Sequence, residues 1–198
     1  MTSDGTTWVV LGIGNVLLGD DGVGVHVVRE LERRVRAGEA LLPPGARLVD
    51  GGTRGADLAP FLASARAAIV VDALDDGGIP GTIAVLDGAA IDGMTAPAGA
   101  RAEEAGGWPG SAAGPAADGL RGLLATMRVA GATPGAVSLV GIRPAVLDVG
   151  LELSRPVAAA LLGAADAVLE ELTRVVRTEP TMTSRPGQAA VAAAEAAA

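Results

Sequence analysis

The sequence predicts an α/β protein with a mostly parallel sheet covered by helices on both faces. Three observations point there. Short apolar runs rich in β-branched residues alternate with stretches of helical periodicity, the pattern of strand–helix–strand units. The run AAIVVDA at 67–73 is apolar at nearly every position, as a central parallel strand buried on both faces requires. The chain has 198 residues, enough for one domain with a substantial core and too few for two comfortable ones.

TWVVLGI, residues 7–13, reads as the first strand, bounded by glycine. From Gly22 the spacing changes: Val23, Val27, Leu31 and Val35 fall on one helical stripe, with Arg29, Glu30, Arg33 and Arg34 away from it. This helix ends near Gly38, and LLPPG breaks the chain before a second strand, ARLVD, at 46–50. GGTRG is a turn, and ADLAPFLASA a short helix containing Pro60. The third strand, 67–73, is followed by the turn DDGGIPG and a fourth strand, TIAVLD, at 82–87.

Residues 88–117 are dominated by Ala, Gly and Pro and predict a long surface loop. Helical spacing resumes at Leu120, Leu123, Leu124 and Met127. AVSLVGI at 136–142 is a fifth strand, and a last helix runs from about Ser154 to Val176. The expected organisation is one domain over 1–177 and a disordered tail over 178–198, where QAAVAAAEAAA carries no core-forming pattern. There is no internal repeat.

Composition excludes several function classes. With a net charge of −8, a general nucleic-acid surface is not expected, because phosphate binding needs a basic field. Cysteine is absent, which removes disulfides, thiolate zinc sites and cysteine nucleophiles. No apolar run approaches a membrane span, and MTSDGTTWVV lacks the basic start and long apolar stretch of a signal peptide. A cytoplasmic protein is the expectation. Aromatics are 2% of the chain, so the core must be aliphatic.

Sites in parallel sheets form outside the carboxyl ends of the strands, which selects three loops. The first, GIGNVLLGDDGVG, has Gly12 and Gly14 but Leu17 in place of the third glycine of a dinucleotide fingerprint. A pyrophosphate needs bare N–H groups at a helix N-terminus, whereas this helix opens with Asp20 and Asp21. A nucleotide-binding α/β protein is thereby disfavoured. One aspartate suffices as an N-cap, a role expected of Asp20. Asp21 is then a carboxylate aimed into the crevice toward a cation or a polar backbone. The second loop holds Asp50, Gly51, Gly52, Thr53, Arg54 and Gly55; it reads either as an ordinary tight turn or as a place where glycines let another chain's backbone approach. The third is Asp72, a charge emerging from a buried strand, costly unless paired or bound to a metal. His26, the sole histidine, lies off the helix stripe and is expected to face solvent or the helix flank.

GIGNVLLGDDGVGVHVV, LVDGGTRG and IVVDA, in this order and spacing, resemble the maturation proteases of NiFe hydrogenases, with SLVGIRP a weaker fourth match. The resemblance covers roughly residues 8–176. It implies a three-layer α/β/α fold with a five-stranded twisted sheet, one strand antiparallel. It also implies an endopeptidase that removes a C-terminal extension from the hydrogenase large-subunit precursor after nickel insertion, the nickel travelling on the substrate. It places the catalytic and metal-contacting carboxylates at Asp21 and Asp72, and substrate contacts at Asp50, Gly51, Gly52, Thr53 and Gly55. The family's third metal contact is a histidine in a Ser-Pro-His-like turn. The corresponding stretch here is Gly114, Pro115, Ala116, Ala117, Asp118, so Ala116 stands where the histidine belongs, and Asp118 lies two positions on. A divergent homologue that binds the precursor as a maturation chaperone without cutting it is the alternative.

Overall fold

The computed structural model describes residues 8–63, 65–93 and 133–178, together with Leu120, Leu123, Leu124, Met127, Arg128 and Gly131. The expectations for most of the Ala/Gly-rich loop, for Ala116 and Asp118, and for the tail lie outside the described residues.

The elements are β1 (Trp8–Ile13), α1 (Val23–Arg36), β2 (Ala46–Gly52), α2 (Ala59–Leu62), β3 (Ala67–Ala73), β4 (Ile83–Asp87), α3 (Gly88–Gly93), β5 (Ala136–Ile142) and α4 (Arg155–Thr178). The five strands form one sheet in the order β2-β1-β3-β5-β4. β1 pairs in parallel with β2 and β3, and β3 in parallel with β5. β4 runs antiparallel to β5, which its short connection from β3 permits, since a parallel crossover needs a dozen residues or more.

Alternation along the strands feeds two cores, as the pleat requires. Trp8, Val10, Ile69, Val71, Val140 and Ile142 pack under α1 and α4, against Val27, Leu31, Val168 and Leu172. Val9, Leu11, Val70 and Leu139 face the other layer, formed by Leu58, Leu62, Ile91 and the helical residues Leu120, Leu123, Leu124 and Met127. Every residue of β1 and of β3 is buried.

Two expectations change in detail. Residues 88–93 form a short helix where a loop was expected. It is started by the Asp87 carboxylate, which accepts the Ala90 N–H at 2.8 Å, and anchored by Ile91, which is buried. One apolar residue in six leaves no period to read. The helix expected over 56–65 divides into a 3₁₀ turn at Gly55–Leu58 and the single turn of α2. Pro60 sits in that first turn, where its missing N–H costs nothing.

The contact that sets the rest is between α1 and the sheet. A Cβ on Gly24 would lie 2.1 Å from the Val71 carbonyl oxygen and 2.5 Å from that of Ile13. A Cβ on Gly12 would lie 2.2 Å from the Gly24 oxygen. Backbone therefore meets backbone, and the first turn of α1 rests directly on the carboxyl ends of β1 and β3. Gly24→Ala is expected to destabilise the fold by about 3 kcal/mol, because the obstacle is backbone and not a side chain that can swing away. A urea titration reads this as a lower midpoint at unchanged slope.

Candidate functional site

The chain between β1 and α1 is a tight coil closed by a 3₁₀ turn, Gly19–Gly22. Gly14 has φ +119°, and a Cβ there would fall 1.8 Å from the Asp21 carbonyl oxygen. Only glycine fits both demands. The folded-back coil lets the Asn15 N–H donate to Asp21 Oδ2 at 2.6 Å, while the Asn15 side chain accepts the Leu17 N–H at 3.0 Å. Asp21 is thus held by one backbone donor and remains partly buried. Burial pushes its pKa above the usual carboxylate value, and the Asn15 N–H offsets only part of that.

Asp72 ends β3 at 4% exposure. Its Oδ1 accepts the N–H of the next residue, Ala73, at 2.8 Å, and among the described residues no cation pairs with it. Burial, and then the negative charge of Asp21, push it well above the ordinary carboxylate range. The two predicted carboxylates are therefore electrostatically coupled at the ends of adjacent elements. Each negative charge there opposes the other, so the pair resists carrying two charges at once.

Asp20 is not the helix cap that the sequence suggested. Neither the 3₁₀ turn nor α1 has a side-chain cap bond. Asp20 turns away and is fully buried. It accepts the N–H groups of Ala145 (2.8 Å), Val146 (3.0 Å) and Ser154 (2.7 Å), and its own N–H donates to the Val146 carbonyl. The Ser154 hydroxyl lies beside the carboxylate, outside hydrogen-bonding geometry. Burial alone would raise Asp20, but Ser154 and the N–H groups of Ala145 and Val146 outweigh it, and its pKa falls below the usual value. One carboxylate so placed ties the loop after β5 to the loop after β1 across more than a hundred residues. Sequence reasoning missed this: the partners are backbone N–H groups, which leave no signature in residue identity.

At the second loop, β2 continues through Gly52, so Asp50, Gly51 and Gly52 are strand residues. Asp50 accepts Arg29 Nη2 at 3.0 Å in an exposed ion pair, and Arg54 donates to the Asp50 and Gly51 carbonyls. Gly51 is committed inward, since a Cβ there would meet Leu11, Gly12 and Ile13. Gly52, Thr53 and Gly55 are more open: Gly55 has φ +52° with nothing within 4 Å of a Cβ position, and Thr53 is exposed. His26 sits on the flank of α1, half-buried, with Nε2 buried and unpartnered. Burial first, then Arg29, lower its pKa, against a smaller opposing pull from Asp50. Among the described residues no three of His, Cys, Asp and Glu converge on a point that could hold a metal ion. His26 therefore does not join Asp21 and Asp72.

The fold is a mostly parallel α/β sheet with one antiparallel edge strand, with Asp21 and Asp72 at its carboxyl end. The family model described as "Hydrogenase maturation protease" matches residues 25–97. The hydrogenase expression/formation protein HupD of Rhodobacter capsulatus is 36% identical over 85% of this chain and 70% of its own length. The hydrogenase 2 maturation protease of Escherichia coli K12 is 32% identical over 83% of this chain and 89% of its own. Among solved structures, the hydrogenase maturating endopeptidase HybD from E. coli superposes with a TM-score of 0.66 at 29% identity, covering 85% of this chain and 93% of that one. The chain belongs to the hydrogenase maturation protease family. No helix among the described residues is long and apolar enough to cross a membrane.

Asp20→Ala strands three backbone donors and is expected to cost about 3 kcal/mol, read as a lowered urea midpoint. The Asp20 contribution is complete above the ordinary carboxylate pKa of 3.8 and is lost as pH falls through its own lower value. Asp72 has the opposite sign. Its carboxyl titrates above 3.8, so the ionisation penalty grows as pH rises from there through the raised value. Asp72→Asn, which keeps the shape and an acceptor for Ala73, is expected to raise Tm at neutral pH in metal-free buffer. Each kcal/mol of penalty removed appears as about 2–4 °C in calorimetry.

Proposed function

We propose that this chain is the endopeptidase that removes the C-terminal extension of a NiFe hydrogenase large-subunit precursor after nickel insertion. The observation that carries the reading is the coupled pair, Asp21 and Asp72, left without a cation at the carboxyl end of the sheet. Two neighbouring carboxylates in a poorly solvated place repel each other, and a proton or a cation relieves that repulsion. A divalent ion brought in by the substrate displaces the proton from Asp72 and converts repulsion into shared ligation. Oxygen donors suit an incompletely coordinated nickel ion held on the precursor. Two carboxylates among the described residues make a weak metal site, which suits nickel that arrives on the substrate.

This arrangement links chemistry to loading. The cation lets both carboxylates stay ionised only with nickel-loaded precursor; a carboxylate oxygen left off the metal can then take the proton of the attacking water, and a positioned base accelerates attack on a carbonyl by about 10²–10⁴-fold. The substrate backbone would lie along the end of β2, an edge strand that pairs only with β1, where Gly52, Thr53 and Gly55 are open. An extended peptide adds readily to such an edge. Asp50 contributes by holding Arg29, and Gly51 by seating the strand on β1.

The test is a cleavage assay on nickel-loaded large-subunit precursor, read by intact mass. The wild type is expected to release a C-terminal peptide, and Asp21→Asn or Asp72→Asn to slow release by at least about 100-fold. Absence of cleavage by the wild type, with cleavage gained by Ala116→His, would instead identify a precursor-binding homologue that lost its third ligand.

A further inference from the structure

Nine large hydrophobic side chains are strongly exposed among the described residues, and five of them, Leu17, Val146, Leu147, Val149 and Leu151, lie on two segments that touch. Leu18 and Gly150 form a parallel bridge. Gly19 N–H donates to the Gly150 carbonyl at 2.9 Å, and Gly150 N–H to the Leu17 carbonyl at 3.0 Å. Asp20 fixes the same loop from beneath, through Ala145, Val146 and Ser154. The exposure is therefore a property of a fastened loop, not of a frayed one: Val149 is 85% and Leu151 72% exposed while their backbone is held. Exposed apolar side chains gathered on two segments with a fixed backbone mark a binding surface.

We propose that this patch docks the precursor polypeptide itself, taking an apolar stretch with basic flanks outside the scissile segment. The inference rests on the protease reading above. Two observations select this occupant. The patch is continuous with the candidate site, since Leu17 and Asp21 belong to one coil and Asp20 joins that coil to the loop. Its rim is acidic: on the loop itself Asp148 and Glu152 are exposed and, among the described residues, in no ion pair, Arg143 is taken up by Asp76, and Arg155 follows at the start of α4. A basic-flanked apolar segment satisfies both the patch and the rim, and binding energy gathered there would hold the chain while the scissile bond is presented to Asp21 and Asp72.

The experiment uses the full chain, nickel-loaded precursor and three variants: Val149→Asp with Leu151→Asp, Asp148→Asn with Glu152→Gln, and Leu41→Asp as a distant exposed control. The first pair is expected to raise KM at least tenfold with kcat held within twofold. The second is expected to raise KM several-fold and to flatten its dependence on salt. The control is expected to do neither. Circular dichroism and Tm verify folding of each. Binding of the precursor to the Asp21→Asn protein, with and without the Val149/Leu151 changes, separates the two readings. If the wild type does not cut but binding still depends on Val149 and Leu151, docking stands and the protease reading falls. If the wild type cuts and KM is unchanged in the first pair, the docking proposal falls and the protease stands. A dimeric wild type made monomeric by that pair at unchanged KM would assign the patch to a second copy of this chain and overturn the proposal, as would a precursor that is neither cut nor bound.

Discussion

The structure depends on a helix whose first turn meets the sheet with no side chain between them. Gly24 brings α1 onto the carbonyls of Ile13 and Val71, and Gly12 lets β1 receive it. Helices that cross sheets through intervening side chains sit farther away, and their termini are placed only as well as those side chains pack. Here the backbone itself is the stop. The coil before the helix has no freedom to drift, and Gly14 folds it so that Asp21 is carried to the mouth of the crevice beside the end of β3. The positions of both carboxylates follow from that contact.

Asp20 and Asp21 show how far environment decides what a carboxylate does. They are consecutive, both withdrawn from water, and shifted in opposite directions. Asp20 meets the Ser154 side chain and three backbone N–H donors, which together favour the charge by more than burial opposes it. Asp21 has one donor and the neighbouring Asp72. The first is a satisfied structural ion that fastens two loops. The second is an unsatisfied one whose charge is costly until something positive arrives. A carboxylate satisfied by backbone donors and one held by a single donor thus occupy adjacent positions, and the first fixes the frame on which the second is held.

The loops at this end of the sheet are joined laterally as well. Arg143, just after β5, pairs with Asp76 after β3 at 2.6 Å and exchanges backbone bonds with Gly81 and Thr82. At the other edge, Arg29 reaches from α1 to Asp50 on β2. These pairs are partly or well exposed, so each contributes little to stability, about 0–1 kcal/mol. Their effect is geometric: the segment after β5 is held to the loop after β3, and α1 is held to the end of β2.

The sequence by itself determined the strand–helix alternation, the buried central strand, the first helix and the placing of Asp21 and Asp72 where apolar strands give way to loops. Those features are written in local periodicity and in charges placed where apolar strands end, both of which survive in one dimension. The helix at 88–93 was not legible, because one buried isoleucine and an aspartate cap make no period. The role of Asp20 was not legible either. A sequence shows that an aspartate precedes a helix, and capping is the local use for it. The partners it has instead are main-chain donors contributed by residues 145–154, identical in every amino acid but proline. Which of two adjacent aspartates turns inward to a distant loop, and which turns toward Asp72, was decided only when the backbone of α1 came to rest on the sheet.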